Sequence, residues 1–375
     1  MKILFYSDVQ QTGGHEIMAI EAIKSLLPFY DIDIIISKYN DDLCKRLSYI
    51  MDNRKIHQIN YFSNRFQIIR NVFSFKTKKE LDNLISKIMP DIVIGIQGTI
   101  DSSFLIFPIC KKRNIKNISY IPISFDLRKI SKNKYIGLLK DIIHRFYYKY
   151  PDIFITINEI LAERIKRKSQ NNSVFIIKNG VDFSKYFKYD KIQCRNDFNI
   201  SINKYVIGYI GRIELWHKGL DYYIDFLNKN ANKYPDVLFL FVGSGNGEPE
   251  LQELIHLTSN VLFLPWVSDV SKIYSLIDCY IIPSRFESGP GCPLTMLEAL
   301  HFGIPVIASN IPEISCFLPK ENLYDIGNYE QMQNKINDAL NDRLKNISLK
   351  ENEFSIQQFY STFKDCISKI MKEDA

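Results

Sequence analysis

Residues 283–307 read PSRFESGPGCPLTMLEALHFGIPVI, and this stretch decides the fold. A β-branched run ends near Pro283, a loop rich in glycine and proline follows, and an amphipathic run opens at Pro293 or Leu294. Proline suits the first helical turn, where its missing N–H is no loss. The free backbone N–H groups of that turn, together with the loop, favour an anion. The stretch therefore predicts a strand, an anion-binding turn and a helix in succession.

Two carboxylates flank this turn. Glu287 precedes the loop, and Glu298 lies in the second turn of the predicted helix. One carboxylate at each end of a phosphate-binding loop can accept hydrogen bonds from the hydroxyls of a neutral sugar. The alternative is that both are solvated surface residues. Their placement around a single turn favours the binding role.

The alternation of strand and helix extends outward along the whole chain, as expected for parallel sheets wrapped by helices. The strands predicted in the first half are Lys2–Ser7, Asp33–Ser37, Asp91–Ile96, Ile118–Pro122, Ile153–Ile157 and Val174–Ile177. Those predicted in the second half are Val206–Ile210, Val237–Val242, Val261–Phe263, Cys279–Ile282 and Pro305–Ala308. The polar stretch 184–203 between the two sets is predicted to be a linker. We expect an α/β protein with a doubly wound domain at 1–183, a second at 204–350, and a terminal helix within 351–375 that can return to the first domain.

Composition agrees with two soluble globular domains in a chain of 375 residues, 46% hydrophobic and 24% charged. The first residues, MKILFYSD, lack the long apolar core and cleavage site of a signal peptide. We therefore expect a cytoplasmic protein. Residues 1–180 carry a net charge of +12 and the remainder −6, so the first half is expected to meet something anionic. No nucleic-acid motif accompanies this charge, and DNA or RNA binding is not expected.

A second cluster of polar residues follows the first strand of the second half. Residues 208–219 read GYIGRIELWHKG, so Arg212 and Lys218 flank a turn at the predicted site. Fixed cations there would stabilise a diphosphate leaving group, whose negative charge grows as its bond breaks. An isolated arginine and lysine six residues apart would usually be solvated. Their position after a buried strand favours the functional interpretation.

Together these motifs resemble glycosyltransferase family 4, whose members are retaining enzymes with the GT-B fold of two Rossmann-like domains facing across a cleft. The family pattern is a glutamate, a glycine-containing loop and a second glutamate followed by alanine. The matching residues here are Pro283, Ser284, Glu287, Gly289, Pro293, Leu294, Leu297, Glu298, Ala299, Gly303, Pro305 and Val306. The Gly-Arg…Lys-Gly pattern matches Gly211, Arg212, Lys218 and Gly219.

The resemblance implies roles for these residues. Glu287 would contact hydroxyls of the transferred sugar, Glu298 the ribose, and Arg212 with Lys218 the diphosphate. The chain departs from the pattern in one respect, since the glutamates are eleven apart and Pro290–Cys292 resembles an insertion. The resemblance also implies catalysis without a bound metal or other cofactor.

Further parts of the family site fall elsewhere in the chain. The glycine pair Gly13 and Gly14, in QTGGHE, permits positive φ and close backbone approach, and in the family this loop closes over the donor phosphate. The VLFLPWV stretch resembles the base pocket, so backbone at Leu264 and Trp266 would meet the nucleobase. The alternative for Trp266 is a buried aromatic side chain. We expect the donor-binding residues to be Gly13, Gly14, Arg212, Lys218, Leu264, Trp266, Glu287, Gly289, Gly291, Leu294, Thr295 and Glu298.

Many relatives carry a histidine-aspartate pair after the strand that corresponds to Ser119–Pro122. Here Phe125 stands in the histidine position and Asp126 is retained. Asp126 is therefore a candidate for acceptor contact, beside Glu287, Arg212 and Lys218 as candidate catalytic residues. A retaining transfer with front-face attack needs no separate base if the departing phosphate accepts the proton.

Two stretches of the first half, 64–79 and 128–150, are both basic and aromatic. Amphipathic segments of this kind can rest on an anionic leaflet. The alternative is a pair of solvated helices over the sheet. A membrane contact would suit a peripheral enzyme with a lipid-linked acceptor.

The resemblance implies transfer of a hexose or N-acetylhexosamine from a nucleotide-diphosphate sugar, with UDP favoured, to a glycan or lipid-linked glycan. Surface polysaccharide or lipopolysaccharide synthesis is the expected setting. Two alternatives remain open. One is a nucleotide-sugar epimerase or phosphorylase of the same architecture, and the other is a non-catalytic protein that binds a glycan or nucleotide.

Overall fold

The first strand shows why this sequence forms a buried parallel sheet. Residues Ile3 to Tyr6 are inaccessible to solvent on both faces, because helices cover both sides of a parallel sheet. The computed structural model describes residues 1–63, 67–130, 133–265, 267–287 and 293–372. The chain divides into two units, Met1–Gly180 with the segment that begins at Ile356, and Val181–Ser355.

The first unit is built on a sheet whose strands all pair in parallel. Its described strands are Lys2–Ser7 (β1), Asp31–Ser37 (β2), Ile56–Ile59 (β3), Ile92–Ile96 (β4), Lys116–Tyr120 (β5), Ile153–Thr156 (β6) and Val174–Ile176 (β7). They lie in the order β3-β2-β1-β4-β5-β6-β7. The order reverses between β1 and β4, which is the switch point where doubly wound sheets bind ligands.

The connections of the first unit carry its helices. They are Gly14–Leu26 (α1), Asp41–Ser48 (α2), Gln67–Phe73 (α3), Phe75–Ile88 (α4), Ile106–Arg113 (α5), Leu127–Ile130 (α6), Lys134–Tyr147 (α7) and Glu159–Ser169 (α8). Side-chain caps begin several of them. The Asn158 side chain, for instance, accepts from the Leu161 N–H at the start of α8.

The second unit repeats the same strand order on a smaller sheet. Its described strands are Tyr205–Ile210 (β8), Val237–Val242 (β9), Val261–Leu264 (β10), Cys279–Ile282 (β11), Val306–Ser309 (β12) and Leu323–Tyr324 (β13). They lie in the order β10-β9-β8-β11-β12-β13 and are parallel. The switch point is therefore between β8 and β11.

Helices cover both faces of this second sheet. They are Lys191–Asp197 (α9), Leu220–Asn230 (α10), Glu248–Leu257 (α11), Val270–Leu276 (α12), Leu294–His301 (α13), Pro312–Ser315 (α14) and Tyr329–Leu340 (α15). Successive strand residues enter different cores, as the two-residue period of a strand requires. Val206 and Ile210 of β8 join one apolar cluster, and Ile207 and Tyr209 join the other.

The last helix, Ile356–Lys372 (α16), belongs to the first unit. Phe363 is fully buried and its ring meets the Tyr120 ring edge-on at 5.6 Å between centroids. The Tyr30 and Ser368 hydroxyls lie 3.0 Å apart. The chain thus leaves the first unit at Gly180 and returns to complete it, as the sequence predicted for the terminal helix.

The predicted strands are all present, with ends that differ by at most two residues. Two short edge strands were missed. β3 carries the polar pair His57 and Gln58, so its apolar pattern is too sparse to indicate a strand. β13 is two residues long.

The stretch 184–203, predicted as a linker, contains helix α9 and lies within the second unit. The helix packs through the buried guanidinium of Arg195, which donates to the carbonyls of Leu276 and Ile202 and to Asp278. Hydrophobic patterning does not report a helix anchored in this way.

Candidate functional site at the switch point of the second unit

The loops that follow β8 and β11 leave neighbouring strands at the switch point of the second sheet. The first carries Arg212 and Lys218, and the second carries Ser284 and Glu287. Parallel strands place these loops at the same edge of the sheet. The sequence motifs therefore converge where a doubly wound sheet is expected to bind its ligand.

Lys218 and Glu287 form an ion pair at this edge. The Lys218 Nζ lies 2.8 Å from Glu287 Oε1 and 2.7 Å from Oε2, and the Ser284 hydroxyl also donates to this carboxylate. Burial alone would raise the pKa of Glu287, but the charge of Lys218, with His217 and the Ser284 hydroxyl, holds that pKa below its ordinary value. Glu287 is therefore a buried, charged hydrogen-bond acceptor.

Gly219 fixes the distance between the two loops. It caps α10 at φ +65°, and a Cβ at this position would lie 1.9 Å from the Pro283 carbonyl oxygen. The Arg285 N–H donates to the His217 carbonyl at 3.1 Å, which joins the loops a second time. Only glycine satisfies both the left-handed backbone and this close approach.

Arg212 is held by its backbone and not by its side chain. Its carbonyl accepts from the Tyr209 hydroxyl at 2.7 Å. Its side chain is 62% exposed, and its Nε lies 3.7 Å from a Glu214 oxygen. The structure brings Lys218 and Glu287 into contact, whereas Arg212 stands outside that pair.

Glu298 occupies a different environment on α13. Its two oxygens accept hydrogen bonds from Tyr186 at 2.7 Å and Tyr274 at 2.6 Å. Burial raises the pKa of Glu298, and the two tyrosine hydroxyls counteract only part of this rise. The carboxylate is thus oriented by neutral donors, in contrast to the lysine-paired Glu287.

A row of buried tyrosines leads from the Glu298 cluster toward the end of β8. The Tyr274 and Tyr280 ring centroids are 6.3 Å apart, and the Tyr280 hydroxyl donates to the Ile210 carbonyl at 2.9 Å. Sequence reasoning missed the orienting residues Tyr186 and Tyr274. No local motif marks these tyrosines, because Tyr186 lies 112 residues before the glutamate that it contacts.

Other predicted donor residues have ordinary structural surroundings. Leu294 and Thr295 form the first turn of α13, where the Thr295 carbonyl accepts from Tyr274 at 3.3 Å. The Leu264 carbonyl accepts from the Gly243 N–H at 3.1 Å, at the end of β10. Trp266, Gly289 and Gly291 lie outside the described residues.

The glycine pair of the first unit begins α1 with ordinary backbone angles. Gly13 has φ −117° and Gly14 is the first helical residue, so neither uses the positive φ that the sequence suggested. The Gly13 N–H donates to the buried Glu16 carboxylate at 2.8 Å. This one-way cap already places a carboxylate at the start of α1.

Asp126, the candidate for acceptor contact, lies in the first unit after β5. Its Oδ1 is 3.3 Å from the Lys168 Nζ on α8. Lys168 also donates to the Phe125 carbonyl. The aspartate is therefore tied to a helix of its own unit.

The VGSGNG stretch that ends β9 lacks the glycine spacing of a dinucleotide fingerprint, and its glycines serve packing. A Cβ on Gly243 would lie 1.9 Å from the Gly211 carbonyl oxygen, and one on Gly245 would lie 2.2 Å from that of Ile213. The loop after β9 thus packs closely against the loop that carries Arg212. These contacts account for the glycines without a cofactor.

Residues 204–342 match the family model described as glycosyl transferases group 1. The match spans both loops of the switch point and the Glu298 helix. These residues are a group 1 glycosyltransferase domain.

Two curated relatives that the chain resembles are glycosyltransferases by name. A protein named as an uncharacterized glycosyltransferase of Haemophilus influenzae is 25% identical over 317 residues, which are 82% of this chain and 79% of that protein. A UDP-Gal:alpha-D-GlcNAc-diphosphoundecaprenol alpha-1,3-galactosyltransferase of Escherichia coli is 28% identical over 229 residues. That match covers 56% of each protein.

The similarity to solved structures confirms the GT-B fold. Anabaena Alr3699/HepE, solved in complex with UDP, superposes with a TM-score of 0.76. The superposition covers 98% of this chain and all of that one at 16% identity, so the likeness concerns the fold alone. Among the described helices of the glycosyltransferase, none is long and apolar enough to span a bilayer.

Proposed function

We propose that this glycosyltransferase is a retaining enzyme that transfers a hexose or N-acetylhexosamine from a nucleotide-diphosphate sugar. The Lys218–Glu287 pair at the second switch point carries the proposal, because it sets a cation and a charged acceptor side by side. UDP is the favoured nucleotide, in keeping with the UDP complex of the Anabaena neighbour. No metal or other cofactor is proposed.

The acceptor that we propose is a glycan or lipid-linked glycan, in the synthesis of a surface polysaccharide or lipopolysaccharide. The Escherichia coli relative is named for a diphosphoundecaprenol-linked acceptor, which supports this class. The enzyme would work in the cytoplasm, at the inner face of the plasma membrane. Asp126 remains the proposed acceptor contact.

Lys218 is proposed to hold the departing diphosphate. An ammonium has three N–H donors, and the two contacts with Glu287 leave one for a phosphate oxygen. Glu287 fixes the position of the ammonium before the reaction starts, so little reorganisation is needed as negative charge develops. The exposed Arg212 side chain, on a backbone anchored by Tyr209, would supply a second cation.

The two glutamates are proposed to bind different hydroxyls of the donor. Glu287, charged and buried, would accept from hydroxyls of the transferred sugar. Glu298 would accept from the ribose through lone pairs that Tyr186 and Tyr274 leave unused. Front-face attack would let the departing phosphate take the acceptor proton, so no separate base is required.

Release of nucleoside diphosphate from a panel of UDP- and GDP-sugars tests the proposal. Lys218→Ala or Arg212→Ala should lower turnover by about 10²–10³-fold, as expected for loss of one preorganised charge contact. Lys229→Ala is a matched control, because Lys229 is an exposed lysine of the same unit that pairs with Asp225. It should turn over like the parent.

Two results would contradict the assignment. Parent-like turnover in both Lys218→Ala and Arg212→Ala would remove the diphosphate role from these cations. Absence of nucleotide release from every donor, with binding intact by calorimetry, would favour the non-catalytic binding protein.

A further inference from the structure

Helix α3 of the first unit has its polar side inside and its apolar side outside. Gln67 and Asn71 are each only 3% exposed, and the Gln67 amide donates to Asn71 Oδ1 at 2.8 Å. On the outer side, Phe73 is 69% exposed, and Ile69 and Val72 are also exposed. An ordinary surface helix has the reverse arrangement.

Helix α7 shows a second outward apolar stripe. Its exposed members are Tyr135, Leu138, Leu139, Ile142 and Phe146, which recur every three or four residues and so share one face of the helix. Tyr135 is 86% exposed and Phe146 61%. The core-facing side carries Gly137, His144 and Tyr147 instead.

The two helices are neighbours. The Tyr147 hydroxyl donates to the Ile68 carbonyl at 3.3 Å. The Asn71 amide donates to the Asp101 carbonyl at 2.9 Å, and His144 Nε2 lies 3.8 Å from an Asp101 carboxylate oxygen. Their apolar stripes, with the exposed Phe75 at the start of α4, form what we call the α3–α7 face: Ile69, Val72, Phe73, Phe75, Tyr135, Leu138, Leu139, Ile142 and Phe146.

The segments that carry the α3–α7 face are rich in positive charge. Segment 67–79 contains Arg70, Lys76, Lys78 and Lys79 and no carboxylate. Segment 134–149 contains Lys134, Lys140, Arg145 and Lys149 against Asp141 alone, whose carboxylate accepts from the Leu127 and Arg128 N–H groups at the start of α6. Exposed apolar side chains on segments rich in lysine and arginine suit a surface with an apolar interior and an anionic boundary.

We propose that the α3–α7 face rests on an anionic lipid bilayer, with its apolar side chains among the acyl chains and its basic residues at the headgroups. A second copy of the chain fits less well, because a symmetric contact would place like charges together. This inference rests on the proposed function in one respect only: the membrane contact would bring the enzyme to a lipid-linked acceptor. The contact itself needs no donor sugar.

Co-sedimentation of the full chain with vesicles tests the proposal. The parent should bind phosphatidylglycerol vesicles and lose most binding in pure phosphatidylcholine or at high salt. Leu139→Glu with Phe146→Glu should weaken binding at least about 30-fold, since both apolar insertion and surface attraction are lost. Replacing Lys134, Lys140 and Arg145 by Gln should weaken it about a hundredfold.

A matched control makes the same change of charge elsewhere. Phe29→Glu with Tyr49→Glu replaces two exposed apolar side chains of the first unit that are not part of the face, and it should change binding less than about threefold because no apolar contact with the bilayer is lost. Equal losses in the two double variants would overturn the proposal. So would equal binding of the parent to both lipids, or a dimer that only the face variant abolishes. Thermal unfolding of each variant checks that it is folded.

The two proposals fail separately. Vesicle binding is measured without donor, and nucleotide release is measured without lipid. Loss of lipid binding with intact nucleotide release removes the membrane contact alone. Vesicle binding by a chain that releases no nucleotide removes the proposed transfer reaction alone.

Discussion

Asp8 shows how a single carboxylate organises the switch point of the first unit. It follows β1 and is fully buried. Its Oδ1 accepts from the Ser103 N–H at 2.8 Å and from the Ser63 hydroxyl, so it ties together the loops after β1, β3 and β4. Burial raises the pKa of Asp8 to about 6, although these hydrogen bonds oppose the rise.

This pKa predicts a pH dependence of stability. Between about pH 4 and 6 the folded state binds more protons at Asp8 than the unfolded state, so the free energy of unfolding falls as pH rises. The ionised carboxylate costs about 3 kcal/mol above pH 6. Asp8→Asn should remove this pH dependence. The unfolding free energy of the variant minus that of the parent should therefore be larger at pH 7 than at pH 4, as measured by urea unfolding at both values.

An exposed carboxylate is the control for this measurement. Asp365→Asn replaces a side chain that is 67% exposed on α16 of the same unit. The difference in unfolding free energy between this variant and the parent should stay nearly constant with pH. A flat difference for Asp8→Asn as well would show that Asp8 ionises normally.

Individual residues were predictable where a local motif marks them. Lys218 and Glu287 were chosen from sequence patterns, and the structure places them in contact. Their chemical roles stay predictions. Tyr186 and Tyr274 were not predictable, because a tyrosine has no pattern of its own and becomes an orienting donor only when folding brings it to Glu298.

At the scale of elements, the turn into α10 determines the geometry of the candidate site. Gly219→Ala would force both a left-handed alanine and a clash with the Pro283 carbonyl. We expect a loss of about 2–5 kcal/mol in the free energy of unfolding of the second unit. Donor turnover should also fall, because the clash separates the loops that carry Lys218 and Glu287.

Gly303→Ala separates the cost of the left-handed backbone from the cost of the clash. Gly303 has φ +77°, but a Cβ there would meet no atom within 4 Å. Its cost should be about 1–2 kcal/mol, from the backbone angle alone. Urea unfolding followed by a probe in the second unit compares the variants, and equal costs would mean that the contact with Pro283 is unimportant.

Element prediction succeeded where apolar residues alone make the core. Strands such as β1 and β9 consist mainly of aliphatic and aromatic residues, and their limits were predicted to the residue. Helix α9 was not predicted, because the residue that anchors it is the buried Arg195. The outward stripes of α3 and α7 also show why amphipathic patterning alone cannot say which face is buried.

At the scale of the whole molecule, the first unit depends on the last helix of the chain. Phe363→Ala should destabilise this unit by about 3–5 kcal/mol, as for other buried phenylalanines. Hydrogen exchange should accelerate in β1, β4 and β5, while β8 and β11 of the second unit keep the protection of the parent. Ser361→Ala, at an exposed position of the same helix, is the control and should change neither.

Equal acceleration in both units would show that they unfold together. The family match is confined to residues 204–342. The first unit lies outside that match, yet all of its described strands except β3 were predicted from apolar runs.

The path of the chain has a consequence for biosynthesis. The Val181 N–H donates to the Phe354 carbonyl at 2.7 Å, so the second unit begins and ends at one place and is complete before α16 is made. The first unit is translated first, but the apolar surface that α16 covers stays exposed until that last helix has been synthesised. Since translation proceeds at about 5–20 residues per second, that surface stays open to chaperones or to aggregation for many seconds in every round of synthesis.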